Sequence, residues 1–339
     1  MMVLTEQMTI GELREIPELS KIRDMLFTHL DQEKLDSSIK DYDDHKCGII
    51  FSLNYAAERA AAGQFVYPLY PEASAEADAP ESEQKKKEVC LIDYCVHPGK
   101  PYVLIIPGGG YNREWVLVEG HPLAQEINRR GFNAFILIYR CGYFGCFPDA
   151  LQDVAAAVQY IEINKAHFQV STADYAIQGS SAGGHLAAEW AVRDMGYGRF
   201  GCEKPGCVML CYPATGAGVF YDGYQQLKAA GNERAAAEAA LYLKRMFGED
   251  FESKDISGLD LKDQLSRDYP PLYLVHCQDD QTVPIVSSTQ LRPVLEELGI
   301  DCELHFPEKG RHSFGIGYGT DAEGWMDQAA AFWKRHMDK

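Results

Sequence analysis

The chain has 339 residues, 32 basic and 50 acidic side chains, a net charge of −18 and an apolar fraction of 46%. That length suits one large α/β domain with additions or two small domains. The acidic balance argues against a basic nucleic-acid footprint and against binding to anionic membranes, and no apolar stretch approaches a membrane span.

The first seven residues, Met1 to Gln7, lack the basic start and apolar run of a signal peptide. Up to about residue 62 the chain reads as a polar, mostly helical amino-terminal extension. Ile10, Leu13, Ile16, Leu19 and Ile22 recur at three-residue steps, as on an amphipathic helix interrupted at Pro17. Such a segment packs against the main domain or forms a contact between copies in a homo-oligomer. The remainder, residues 63–339, reads as one α/β domain.

Two β-like runs follow, Gln64 to Tyr70 and Val89 to Val96. Between them the segment from Glu72 to Lys87 is nearly devoid of large apolar side chains and is expected to be a mobile hairpin tip. From residue 101 strands and helices alternate. Strands are predicted over Tyr102 to Ile106, Phe132 to Tyr139, Tyr175 to Gln178, Cys207 to Cys211, Leu272 to Cys277 and Cys302 to Phe306. Helices are predicted over Pro122 to Arg130, Asp149 to Asn164 and the stretch beginning near His185. Continuous apolar strands separated by helices indicate an α/β fold with a mostly parallel central sheet covered on both faces. A capping box, Thr320-x-x-Glu323, is expected to open a carboxy-terminal helix whose apolar stripe runs through Trp325, Ala329, Phe332 and Trp333.

One connection, about residues 214–270, is far too long for an ordinary loop. Within it Asn232 is placed to cap a helix from Glu233 to Phe247, with Ala236, Ala240, Leu243 and Phe247 on one face. An insertion there lies at the carboxyl ends of the strands, where α/β folds bind ligands, and reads as a helical lid or pocket wall.

The chemistry concentrates at Gly179-Ser180-Ser181-Ala182-Gly183, which fits G-x-S-x-G between a predicted strand and a predicted helix. Such a sharp turn admits only small flanking residues and lifts the Ser181 hydroxyl above the sheet at a helix amino end. A serine hydroxyl needs a base, and the base needs a third group to orient it. With a strand–serine–helix elbow these follow in the order serine, acid, histidine. Asp280, opening Asp-x-x-Val283-Pro284 just after a late strand, is the candidate acid, with Asp279 as the alternative. His312, on the loop after the last strand, is the candidate base; His185, His276, His97 and His121 lack that placement. An oxyanion formed by Ser181 would need aligned N–H donors. Gly109 and Gly110, after the first parallel strand, and Ala182, directly after the serine, can supply them.

The ten cysteines show neither Cys-x-x-Cys nor a paired-histidine motif, so neither a zinc site nor a disulfide framework is expected, and a cytoplasmic location is. No metal or organic cofactor is implied.

Taken together, these residues resemble the α/β-hydrolase superfamily, in particular its bacterial esterase branch near acetyl-xylan-esterase-like and hormone-sensitive-lipase-like enzymes. The resemblance covers about residues 100–336. It is carried by Pro107-Gly108-Gly109-Gly110-Tyr111, Glu119-Gly120-His121-Pro122, Tyr139-Arg140, Phe147-Pro148-x-Ala150-x-x-Asp153, the segment from Gly179 to Ala187, Asp280-x-x-Val283-Pro284 and Gly310-x-His312. It implies an α/β-hydrolase fold, Ser181 as nucleophile, His312 as base, Asp280 as acid, and Arg140 with Asp153 as a structural ion pair beneath the site. The expected function is hydrolysis of small acyl esters, such as acetyl groups on a carbohydrate or metabolite, with a small-molecule ester as partner. A prolyl-oligopeptidase-type peptidase and a non-catalytic binding module with the same fold are the alternatives.

Overall fold

A computed structural model of the protein describes residues 3–20, 22, 36–42, 48–63, 65–73, 78–254, 256 and 258–337. Eight strands form one sheet: β1 (Val66–Pro68), β2 (Cys90–Tyr94), β3 (Pro101–Ile106), β4 (Asn133–Ile138), β5 (Ser171–Ser180), β6 (Cys207–Cys211), β7 (Leu272–Val275) and β8 (Cys302–His305). The spatial order is β1-β2-β4-β3-β5-β6-β7-β8. Only β2 runs against its neighbours, β1 and β4; every other pairing is parallel.

Among the described residues the longer helices are α1 (Ile49–Ala62), α2 (His121–Arg129), α3 (Phe147–Ile163), α4 (Ser181–Trp190), α5 (Ala217–Ala229), α6 (Glu233–Phe247), α7 (Leu291–Leu298) and α8 (Trp325–Met337). Alternate residues along each strand supply the two faces of the sheet. Val103, Ile105, Ala134, Ile136 and Met209 share one core cluster with side chains of α1, α2 and α8. Tyr102, Leu104, Phe135, Leu137 and Val208 share the other with α3, α4 and α7. Continuous apolar runs are required because both faces are covered.

The five apolar residues spaced by three in the amino-terminal segment are all buried, and they join the cluster of α1, α2 and α8. Pro17 does break the helix: Ile10–Arg14 is α-helical, and Pro17–Leu19 is a separate 3-10 turn. The first helical turn is closed by a capping box of Thr9 and Glu12.

Two expectations need correction. Between β1 and β2, Glu81–Lys85 forms a short helix and Lys86–Glu88 a 3-10 turn, where a mobile hairpin tip was expected. Ion pairs three residues apart, Lys86–Glu83 at 2.8 Å and Lys85–Glu88 at 2.9 Å, add local support that the polar composition masks; residues 74–77 of that segment lie outside the described residues. The capping box at Thr320 does not form either. Gly324 takes φ +85°, so α8 starts only at Trp325, and the Glu323 carboxylate accepts from Gly319 N–H in a preceding turn.

Smaller shifts leave the pattern intact. β5 begins at Ser171, and Cys277 lies just beyond β7 while remaining fully buried. None of the described cysteines is in a disulfide. No described helix is long and apolar enough to cross a membrane.

The connection from β6 to β7 carries α5 and α6, which pack Tyr224, Ala236, Ala240, Leu243 and Phe251 into a small core of their own. The Asn232 side chain caps α6 by accepting from Ala235 N–H at 3.3 Å. The carboxyl end of α6 is tied down where Gly145 and Cys146 N–H donate to the carbonyls of Lys244 and Arg245.

Candidate active site

The site is built on the carboxyl ends of the parallel strands. β5 runs straight into α4 at Ser181, whose φ of +53° is a conformation that side chains other than glycine adopt only under strain. Tight packing holds the turn in place. A methyl group at Gly179 would lie 2.2 Å from Gly183 O, and one at Gly183 only 2.1 Å from Ile106 O. Both glycines are therefore needed for close approach of backbone to backbone.

Ser181 and His312 lie 131 residues apart, yet Ser181 Oγ is 2.9 Å from His312 Nε2. The other ring nitrogen, His312 Nδ1, is 2.7 Å from Asp280 Oδ2. His312 sits between Arg311 and Ser313, both at positive φ, on the loop after β8. Asp279, the alternative acid, faces away from the histidine ring: its Oδ1 accepts from Gly310 N–H at 3.0 Å and Arg311 N–H at 2.7 Å. It pins the loop that presents His312, while Asp280 meets the imidazole.

Asp280 is saturated with donors. Oδ1 accepts from the amides of Thr282 at 2.8 Å and Val283 at 2.9 Å, and Oδ2 lies 3.0 Å from His276 Nε2 as well as against His312. Burial would raise its pKa, but the bonds from His276 and His312 and the charge of His312 outweigh that and hold the carboxyl well below the usual carboxylate range. It therefore stays ionised at neutral pH.

His276 is a residue the sequence reading passed over. It is fully buried, with Nδ1 2.8 Å from Ser288 Oγ and Nε2 toward Asp280. Both ring nitrogens of His276 thus have hydrogen-bonding partners, with Nε2 able to donate to the carboxylate. The signal was available: a histidine closing an apolar strand run needs a buried partner, and Asp280 is four residues on.

The glycine loop after β3 is anchored on several sides. Trp115 N–H donates to Gly108 O and Asn112 N–H to Gly109 O, closing the turn that carries Gly109 and Gly110. Tyr139 OH donates to Pro107 O at 2.9 Å, and Tyr139 N–H to Glu114 Oε1 at 3.1 Å. Burial pushes the Glu114 carboxyl up to about 7, partly offset by that amide and by Cys141. Ala182 stands in the first turn of α4, where backbone N–H groups have no acceptor within the helix. Gly109 and Gly110 thus sit on the loop after β3, and Ala182 directly follows Ser181 at the start of α4.

Arg140 and Asp153 form a buried pair, with Nη2–Oδ1 at 2.8 Å, Nε within 3.1 Å of both oxygens, and Tyr70 OH on Oδ1 at 2.8 Å. The β6–β7 insertion starts at the site, because Ala214 N–H donates to Ser181 O at 3.0 Å. Its aromatic rings reach the glycine loop: Phe220 lies 4.8 Å from Tyr242, and Tyr242 6.3 Å from Tyr111, the residue after Gly110. A cavity of about 790 Å³ between the amino-terminal segment, α2 and the 316–327 loop contains none of Ser181, Asp280 or His312. Chemistry rather than volume locates this site. No three described His, Cys, Asp or Glu side chains gather as a metal site would need.

Comparison with known proteins agrees with this geometry at the level of fold and family. The sequence pattern of the prolyl oligopeptidase family matches residues 148–339, more than half of the chain, and the BD-FAE pattern matches residues 96–196. Endo-1,4-beta-xylanase B of Butyrivibrio fibrisolvens is 25% identical over 232 residues, covering 66% of this chain and 34% of that protein. An acetylxylan esterase of Xylanibacter ruminicola is 23% identical over 236 residues, covering 69% and 44%. The chain thus spans less than half the length of these two curated relatives. Among solved structures, the acetyl ester-xyloside bifunctional hydrolase of Caldicellulosiruptor lactoaceticus superposes with a TM-score of 0.62 at 24% identity, over 80% of this chain and 95% of that one. With its mostly parallel sheet, its strand–serine–helix elbow and a family match over most of its length, the chain belongs to the prolyl oligopeptidase family, within the α/β-hydrolase superfamily.

Proposed function

We propose that the protein is a serine carboxylester hydrolase acting on short acyl esters, acetyl esters of a carbohydrate or small metabolite foremost. The observation that carries this reading is the continuous chain Ser181 Oγ–His312–Asp280, with contacts of 2.9 and 2.7 Å. Those are hydrogen-bond distances at which a base can take the serine proton. The acetylxylan esterase and the acetyl ester-xyloside hydrolase among the similar proteins support the choice of substrate class.

On this reading His312 Nε2 accepts the Ser181 proton as Oγ attacks the ester carbon. Asp280, held ionised, orients the ring through Nδ1 and offsets the charge it gains. The amides of Gly109, Gly110 and Ala182 receive the oxyanion. The tetrahedral adduct collapses, the alcohol leaves with the proton from His312, and an acyl group remains on Ser181. Water, deprotonated by His312, then releases the acid and restores the serine. The helical insertion, beginning one hydrogen bond from Ser181, would form the wall that selects the acyl or alcohol group.

Turnover of p-nitrophenyl acetate should fall by about 10⁶-fold in Ser181→Ala, as loss of the nucleophile does in such centres. Ordinary turnover by that variant would remove Ser181 from its role. Equal or faster hydrolysis of octanoyl than of acetyl esters would overturn the short-acyl preference. The match to the prolyl oligopeptidase family favours one second reading, a peptidase using the same three residues; aminoacyl-proline amides distinguish it, because an esterase leaves them intact.

A further inference from the structure

We propose that Glu119 is a positioning residue of the Ser181–His312 centre, a second buried carboxylate that fixes the start of the oxyanion loop and stabilises positive charge on His312 during turnover. The inference rests on the serine-hydrolase reading above. Glu119 is 1% exposed and ends the short helix Val116–Glu119 that follows the glycine loop. Its Oε2 accepts from Gly108 N–H at 2.7 Å, and its Oε1 from Tyr212 OH at 3.1 Å. Gly108 is wedged between it and the serine: a methyl group there would lie 2.7 Å from both Glu119 Oε2 and Ser181 Cβ. Tyr212, in turn, packs its ring 4.8 Å from the His312 ring and accepts from Gly315 N–H at 3.3 Å. One carboxylate therefore links the glycine loop after β3, the end of β6 and the loop that carries His312.

Its ionisation follows from its partners. Both oxygens meet donors, which suits the acceptor-only carboxylate rather than the protonated acid. Burial raises its pKa, and the charge of His312, the Gly108 amide and the Ser313 and Tyr212 side chains oppose that rise. No Arg or Lys pairs with it among the described residues. Its other titratable neighbours, Cys211 and Tyr139, are held neutral by burial. His312 itself is faced by Ser181, Asp280 and the Tyr212 ring, and Glu119 reaches it through Tyr212, whose hydroxyl it accepts from.

A buried carboxylate without a permanent cation is costly in a resting protein. As the serine proton passes to His312 in the transition states, positive charge grows there. A carboxylate bonded to Tyr212, whose ring packs on His312, stabilises that added charge and so lowers the barrier rather than tightening substrate binding.

The test compares Glu119→Gln with Glu119→Asp on p-nitrophenyl acetate across pH, after thermal melts have established folding. Glu119→Gln should lose about 30-fold in kcat, with KM changed less than about 3-fold. Its acidic limb of kcat/KM should move to lower pH by about half a unit, because an imidazolium without an anionic neighbour loses its proton sooner. Glu119→Asp keeps the charge and should keep the wild-type limb while losing kcat. Wild-type kcat in Glu119→Gln, or a lowered kcat with an unmoved limb, would overturn the proposal. If Glu119→Gln does not fold, Tyr212→Phe carries the test: it removes one donor and keeps the charge, so kcat should fall about 5-fold with the limb in place, and unchanged kcat would overturn the proposal. A wild-type protein that neither hydrolyses the ester nor labels with a fluorophosphonate defeats the underlying enzyme reading instead.

Discussion

At the scale of single residues, the region around Ser181 holds ionisable groups in opposite states. Asp280 is kept charged by its donors, whereas Glu189, one helix turn beyond His185 on α4, is pushed up to about 8 by burial, partly offset by Gln264. His185 is pushed down to about 3 by burial, so its 3.8 Å approach to Glu189 is a contact between neutral groups at pH 7 and not an ion pair. Gln264 Nε2 donates to Glu189 Oε1 at 2.9 Å, and Glu189 Oε2 is buried without a partner among the described residues. The consequence for stability has a definite sign. Glu189 keeps its proton in the folded chain up to about pH 8, while the unfolded chain releases it near its ordinary value of 4.5. The folded state thus binds more protons across that window, and wild-type stability declines as pH rises through it. Glu189→Gln keeps the shape and the bond to Gln264 without this penalty. Relative to wild type it should gain on the order of 3 kcal/mol between pH 5 and pH 8, measured by urea unfolding at both values. A difference between the two proteins that does not change with pH would show that the carboxyl is ionised in the folded chain.

At the scale of elements, the nucleophile elbow shows why some of this site was legible in the sequence and some was not. Gly179, Ser181 and Gly183 could be read because part of the demand for small residues is local: the turn itself folds Gly183 O to within 2.2 Å of where a methyl group on Gly179 would lie. Asp280 could be read because it follows a strand whose apolar run, Leu272 to Val275, is continuous in sequence, and His312 because it lies on the loop after the last strand. His276 was legible only in part, through Asp280 four residues on, and the role of Glu119 was not, because their other partners come from distant elements, Ser288 on one side and Gly108 with Tyr212 on the other. The false capping box at Thr320 has the same origin in reverse, a correct local pattern cut off from its helix by the left-handed turn at Gly324. The elbow also makes the sharpest element-level prediction. In Gly183→Ala the new methyl group would meet Ile106 O at 2.1 Å and Pro107 O at 2.5 Å. Both are backbone atoms of β3 and the glycine loop, so no side-chain rotation relieves the clash, and α4 must shift away from the sheet. Destabilisation of about 3 kcal/mol or more is expected, or failure to fold, with activity lost even where folding survives. A denaturation midpoint and ester turnover equal to wild type would mean that the packing at this turn is looser than these distances imply.

At the scale of the whole molecule, the question is whether the amino-terminal segment is an appendage or part of the core. Its composition reads as polar, yet Ile10, Leu13, Leu19, Ile22, Ile49 and Leu53 are each 0% exposed. They belong to the same apolar cluster as the β2, β3 and β4 side chains Ile92, Val103, Ile105 and Ile136. Polar contacts reinforce the seam: Tyr55 OH donates to Asn128 Oδ1 at 2.8 Å, and Arg59 lies 3.5 Å from the buried Asp93. Six fully buried aliphatic side chains contribute on the order of 10 kcal/mol of transfer free energy. Without the segment, the β2–β4 side chains it covers would present that apolar surface to water, with nothing else in the chain to bury it. Removing residues 1–62 should therefore yield a chain that melts without a cooperative transition and binds a hydrophobic dye, although Ser181, Asp280, His312 and the whole sheet are retained. Calorimetry of the truncated and full-length proteins decides the matter, since an independent hydrolase domain would keep a cooperative melt within about 5 °C of the full-length chain. The same measurement bears on the site. α1 packs over α2, whose preceding turn contains Glu119, so a core weakened there loosens the base of the glycine loop before it reaches Ser181.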